Sequence, residues 1–207
     1  IYGEGTADAL DFDMGLTPRV TFENDQQRAT FSAKTLEDAR YELPKTVIIN
    51  FNKIYNLSGS NVAFDGDMLS CSGVVVDQPA IVAITSLGDH RVNNSAVSGF
   101  FTISLLRASD GALQTNVTGN DIVVNCAVMN DASAKEGKDF VFTNIHDLRI
   151  SGDGNHSSVN VNGVLLHTTD VIEKLVKLQV KTVNNPAKAQ PITVSKAERV
   201  AEFMIRK

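Results

Sequence analysis

The sequence predicts a mainly β protein: an antiparallel β-sandwich or barrel-like core with an extended N-terminal arm and a short C-terminal helix. Three observations lead there. Between residues 46 and 167, apolar residues recur at period two in successive runs. Turn sequences punctuate them at Asp65–Gly66, Asp110–Gly111, Gly152–Asp153–Gly154 and Asn162–Gly163. Most of the runs have no helical stretch between them, which leaves sheet packing as the way to bury their apolar faces.

Residues 1–45 read as an arm with one short helix. The first 28 are polar, with scattered apolar residues (Phe12, Met14, Leu16, Val20, Phe22) and no sustained period. One short strand fits Arg19–Glu23. A short helix fits Lys34–Tyr41, with Thr35 as N-cap and Pro44 closing it.

Residues 46–183 form the β-rich core. Its first strand is Thr46–Leu57, with Val47, Ile49, Phe51, Tyr55 and Leu57 on one face. Met68–Val76, Ala80–Leu87, Phe100–Arg107, Asp121–Met129, Asp139–Ile150 and Ser158–His167 follow. The side chains expected inside are Val47, Ile49, Phe51, Val75, Ile81, Ile103, Leu105, Val124, Phe140 and Phe142. Thr169–Lys181 fits a helix, with Asp170 and Glu173 in its first turn and a stripe of Ile172, Leu175, Val176 and Gln179. A strand across Lys177–Val183 is the alternative. Residues 184–207 hold a linker with Pro186 and then an amphipathic helix. Ser195 and Glu198 form its capping box, and Ala197, Val200, Ala201 and Met204 its apolar stripe. Arg206 and Lys207 suit the negative end of a helix dipole.

The bulk numbers bound the function. The chain has 207 residues, 43% hydrophobic and 21% charged, which suits one sizeable core or one core with long arms. A net charge of -5 and a pI near 5.3 disfavour general nucleic-acid binding, and no direct sequence-specific contact with nucleic acid is expected. No apolar run reaches the roughly 18 residues of a spanning helix. The sequence starts at Ile1 rather than Met, which fits either a cleaved precursor or a trimmed sequence.

Signals for chemistry are few. Neither His90, His146, His156 nor His167 is spaced from another His or Cys as a metal ligand would be, and His167 reads as a packed residue. No nucleophile elbow, P-loop or dinucleotide fingerprint occurs, so no cofactor is implied. Gly152–Asp153–Gly154–Asn155 resembles part of a calcium loop but lacks the later acidic ligands, and a plain turn explains it better. Carboxylate pairs such as Asp11/Asp13 and Asp65/Asp67 are what 24 acidic residues produce by chance. Sequons stand at Asn56, Asn93, Asn116 and Asn155. Cys71 and Cys126 each fall in a strand-like run. They fit either two buried thiols or one disulfide. Charge is unevenly placed. Residues 1–25 hold six acidic residues against Arg19, and residues 181–207 hold six basic ones against Glu198 and Glu202. Such asymmetry can steer head-to-tail association.

These features favour a non-enzymatic structural subunit that assembles with copies of itself or with other structural proteins. Within that class a virion protein (capsid, decoration or tail) comes first. A bacterial or archaeal surface filament or a secreted adhesin, outside the cell or on its surface, is the alternative. An enzyme with a site assembled from distant residues is a third reading. The arm would lie along an exposed strand edge of a neighbour, with Phe12, Leu16, Val20 and Phe22 filling pockets there.

Overall fold

The computed structural model describes residues 2–13, 15, 19–56, 59, 61–66, 69–91, 96–166, 173–187 and 189–206, with side chains for all of these except 2–5 and 96–98. No helix occurs among the described residues. The chain divides into two compact units. The smaller comprises Ile1–Asp38 and Pro44–Asp77, and the larger Ala39–Leu43 and Gln78–Lys207. The division puts residues 44–77 with the N-terminal segment, whereas the sequence pattern had placed a single core from residue 46 to residue 183.

The larger unit is a β-sandwich of two five-stranded sheets. Seven of its strands are β7 (Ala80–Ser86), β8 (His90–Arg91), β9 (Ala96–Arg107), β11 (Ile122–Val128), β12 (Phe140–Phe142), β13 (Leu148–Ile150) and β14 (Ser158–Leu165). Three more are β15 (Glu173–Asn184), β16 (Ile192–Val194) and β17 (Val200–Arg206). One sheet runs β13-β11-β15-β17-β8 and the other β12-β14-β9-β7-β16. Pairing is antiparallel except at two edges, where β8 lies parallel to β17 and β16 parallel to β7. Period-two burial makes the core: Val124 and Cys126, Val176, Leu178 and Val180, and Phe203 and Ile205 face inward from one sheet. Val82 and Ile84, Phe101, Ile103 and Leu105, and Phe140 and Phe142 face them from the other.

Aromatic rings join the sheets. Phe100 of β9 and Phe203 of β17 stack 5.0 Å apart at 8°, and both are buried. Phe101 tilts onto Phe203 at 5.2 Å, and Phe142 meets Phe100 edge-on at 5.7 Å. Phe100 and Phe101 are consecutive yet both buried, which a regular strand forbids. Gly99, at φ +88°, breaks the pleat just before them. Opposite, the β14–β9 register shifts between Val161 and Gly163. A Cβ on Gly163 would lie 2.6 Å from the Phe100 ring and 2.4 Å from the Val141 carbonyl oxygen. Asn162–Gly163 is therefore not a turn. It lies inside β14, where the missing side chain admits the ring.

The helices expected from the sequence are strands. In the C-terminal segment Ala201, Phe203 and Ile205 are buried alternately. That period-two signal overlaps the helical stripe of Val200, Ala201 and Met204, and cross-strand pairing with β15 decides between them. The expected capping box survives only as a turn, in which Glu198 N–H donates to Ser195 Oγ at 3.1 Å. Glu173–Asn184 likewise forms a strand, β15, which contains the alternative strand Lys177–Val183 and turns Val176, Leu178 and Val180 inward. Ile172 and Asp170 lie outside the described residues. Asp139–Ile150 is two strands, β12 and β13, on different sheets, with Asp147 at φ +52° between them. Arg19–Glu23 is not a strand.

The expected helix at 34–41 is replaced by two short strands, β3 (Lys34–Thr35) in the smaller unit and β4 (Arg40–Tyr41) in the larger. β4 lies parallel to β10 (Thr115–Asn116). Thr115 N–H donates to Ala39 C=O at 2.7 Å, and Val117 N–H to Tyr41 C=O at 3.1 Å. Tyr41 is fully buried; its hydroxyl donates to Gln190 C=O and accepts from Asn185 Nδ2 at 2.8 Å. Core burial outbids the helix propensity of residues 34–41.

Two substitutions test this packing by urea midpoints. Phe203→Ala is expected to cost about 3–5 kcal/mol. Gly163→Ala is expected to cost about 1–3 kcal/mol, because its methyl group meets backbone as well as a flexible ring. An unchanged midpoint for Gly163→Ala would refute the close approach.

Candidate assembly site

The smaller unit carries a three-stranded sheet, ordered β1 (Tyr2–Gly5), β5 (Lys45–Asn50) and β6 (Ser70–Val75), and a two-stranded pair of β2 (Phe12–Asp13) with β3. Register places Val47 opposite Gly73 and Ile49 opposite Cys71 on one face, and Thr46 opposite Val74 and Ile48 opposite Ser72 on the other. Both faces hold apolar residues, and neither is closed. Val47, Ile48, Ile49, Phe51 and Val75 are half-buried, and Val74 is 63% exposed. Among the side chains described in this unit, no apolar one is buried; of the core expected from sequence, Val47, Ile49, Phe51 and Val75 fall short here. Ile81, in the sandwich, is also only half-buried, while Ile103, Leu105, Val124, Phe140 and Phe142 are inside as expected.

What this unit does bury is a charge. Asp11 is 5% exposed, and Lys45 of β5 donates to its two carboxylate oxygens at 3.0 and 3.1 Å. Asp8 N–H donates to Asp11 Oδ2 at 2.6 Å, and Leu36 N–H to Asp11 C=O at 2.9 Å. Thr6 and Thr46 bond through backbone and side chain alongside. The N-terminal residues are thus tied to their own sheet through Tyr2–Gly5 and Asp11, instead of extending free as an arm. Asp11 belonged to a carboxylate pair that composition alone made unremarkable. Only the register that brings Lys45 to it shows its part.

The outer edge of β6 is open among the described residues. Phe51 N–H donates to Leu69 C=O at 2.8 Å, in register with the β5–β6 ladder. By strand alternation Cys71, Gly73 and Val75 then point their backbone groups at β5, and Ser70, Ser72 and Val74 point theirs outward. The edge Ser70–Val75 has no charged residue and no proline, the devices that normally block strand addition.

The residues proposed for the arm are not gathered in one place. Phe12 is on β2, half-buried and opposite Thr35. Val20 is half-buried, and Phe22 is 60% exposed, in a stretch without strand pairing. Leu16 lies outside the described residues. Arg19 and Lys53 approach the exposed Tyr55 ring at 5.4 and 4.6 Å from its centroid.

Both cysteines are free thiols, so the expected alternative of a disulfide is not formed. Cys71 is exposed on β6. Cys126 is buried in the sandwich, and burial pushes its pKa up to about 12. Of the basic C-terminal residues, Lys181 lies on β15 and Arg206 on β17, Lys196 and Arg199 lie in the bend before β17, and Lys188 and Lys207 lie outside the described residues. Arg206 pairs with Asp89 at 2.8 Å, and Arg199 Nε donates to Val180 C=O.

Other polar clusters are satisfied internally. Asp153 Oδ1 accepts from Asn155 N–H and contacts His156 Nδ1 at 2.9 Å, as a turn requires. Asn116 is fully buried; its Nδ2 donates to Asn120 and Ile150 carbonyls, and its Oδ1 accepts from Thr118. That sequon is closed to modification. Asp139 is buried against Lys174. Burial pushes its pKa up, but the Lys174 hydrogen bond, the Lys135 N–H and the nearby lysine charges outweigh it, and its carboxyl stays below the ordinary range. Among the described residues no three His, Cys, Asp or Glu side chains converge as a metal site.

No family model and no curated protein matches the sequence. Among solved structures, CBD12 from CALX1.2 is 14% identical with a TM-score of 0.42, over 84% of this chain and 72% of that one. The Calx CBD2 domain is 13% identical with a TM-score of 0.42, over 61% and 86%. The E. coli chaperone DraB is 15% identical with a TM-score of 0.36, over 62% and 57%.

A thiol reagent distinguishes the two cysteines. Cys71 is expected to react in the native protein at nearly the rate of a free thiol, and Cys126 only on unfolding. Rapid native labelling of both would refute the burial of Cys126.

Proposed function

We propose that this protein is a non-enzymatic structural subunit that assembles by strand addition at β6, and that it serves in a virion. A surface filament or adhesin is the alternative setting. The observation that carries the reading is the open β6 edge, in a unit whose described apolar side chains are nowhere fully buried. A sheet in that state gains from any partner that covers it, both in apolar burial and in backbone hydrogen bonds.

The strand offered is Arg19–Glu23 of a neighbouring copy. Val20 and Phe22 alternate there with Thr21 and Glu23, and the stretch has no strand partner among the described residues. Residues 2–5 and 12–13 pair at home, so the earlier part of the arm is not available to a neighbour. Donation from one copy into the edge of the next is heterologous. It closes into rings or continues as a filament according to the rotation it imposes.

Ser72 gives a selective test. Its N–H points outward, so Ser72→Pro removes an edge donor while leaving the β5–β6 ladder whole. The expected result is a sandwich with unchanged melting and an assembly weakened about tenfold or more, by sedimentation velocity and negative-stain microscopy. Ser72→Lys is expected to act the same way. If both variants assemble like the parent chain, the β6 edge is not the contact.

A further inference from the structure

β8 is a two-residue edge strand, parallel to the end of β17, with His90 opposite Ile205 and Arg91 opposite Arg206. So short a strand needs other attachments. Asp89 supplies two: its Oδ1 accepts from Met204 N–H at 2.9 Å, and its Oδ2 meets Arg206 Nη2 at 2.8 Å. His90 supplies the third. Its ring stands 5.0 Å from both Phe100 and Phe203, at 88° and 87°, and so caps the ring stack that joins the sheets. The Nε2 atom is shut off from solvent and has no hydrogen-bond partner among the described residues.

A neutral imidazole tolerates that place as a small aromatic ring, with one unmet acceptor as its cost. An imidazolium would put a charged N–H there with neither water nor an acceptor. We propose that His90 is a pH-operated catch: its protonation drives the ring out of the Phe100–Phe203 contact, releases β8 and opens the edge of β17.

The charges around the ring are few. Asp89, just before β8, and Arg91, on that strand, flank His90 in sequence. From β17 comes Arg206, which pairs with Asp89 and lies 3.7 Å from Glu173 of β15. β9 presents Phe100. Burial lowers the His90 pKa, and the Asp89 carboxylate opposes this with a smaller upward pull. The sign follows. The unfolded chain binds the proton more readily, so the stability from this group is complete above the ordinary histidine value of about 6.5 and drains away as pH falls below it.

The test follows the imidazole resonances of the whole protein by NMR, folded and in urea, with hydrogen exchange corrected for intrinsic pH dependence. His90 is expected to titrate lower in the folded chain than in urea. Protection at Met204 and Arg206 is expected to fall severalfold between about pH 7.5 and about pH 5.5, and His90→Phe to abolish that fall. A His90 that titrates at or above its value in urea, as stabilisation of the cation by ring faces would produce, overturns the proposal. So does the same loss of protection in His90→Phe. The folded-chain titration needs no variant, so a misfolded His90→Phe leaves the test intact.

Discussion

The contact between Phe100 and Phe203 is the constraint around which the sandwich is arranged. The two rings come from different sheets, and their stacking fixes how those sheets face each other. To deliver Phe100 inward beside Phe101, β9 must break its alternation at Gly99, and β14 must give up a side chain at Gly163. To deliver Phe203, the last described segment must be a strand, since only alternation sends Ala201, Phe203 and Ile205 inward together. A single ring pair thus sets a pleat defect, a glycine and the secondary structure of the C-terminal segment.

The smaller unit follows a different economy. Its fixed point is Asp11 with Lys45, a charged pair that a β-strand and a loop bring together. Such a pair gives register more than net stability, because desolvation cancels much of the attraction. Apolar side chains in this unit gain only part of their transfer free energy, being half-covered. The two units therefore differ in what orders them: dense packing in one, hydrogen bonds and the ion pairing around Lys45 in the other.

Much of the sandwich was legible in the sequence, because its strands alternate cleanly and depend on nothing remote. Val124, Ile103 and Leu105 could be placed inside from spacing alone. The errors cluster where two periods share the same residues. Val200, Ala201 and Met204 satisfy a helix, and Ala201, Phe203 and Ile205 satisfy a strand; the partner that decides, β15, was itself ambiguous. Tyr41 escaped notice because its partners lie 144 and 149 residues away. Of the candidate site, the β6 strand was visible but its position at an edge was not, since strand order is set by pairing and not by composition. Asn162–Gly163 misled for the converse reason: a turn-forming pair served a close packing contact.

The segment Ala39–Leu43 has a consequence for how the protein is made. It belongs to the larger unit, while the residues before and after it belong to the smaller one. A chain emerging from a ribosome presents Tyr41 early, long before Asn185 and Gln190 exist to receive its hydroxyl. The smaller unit has all its residues by Asp77, yet a loop in its middle must stay uncommitted until the sandwich closes around it. The placing of Ala39–Leu43 thus waits on chain made well after it, and neither unit can be cut out as one uninterrupted stretch of chain.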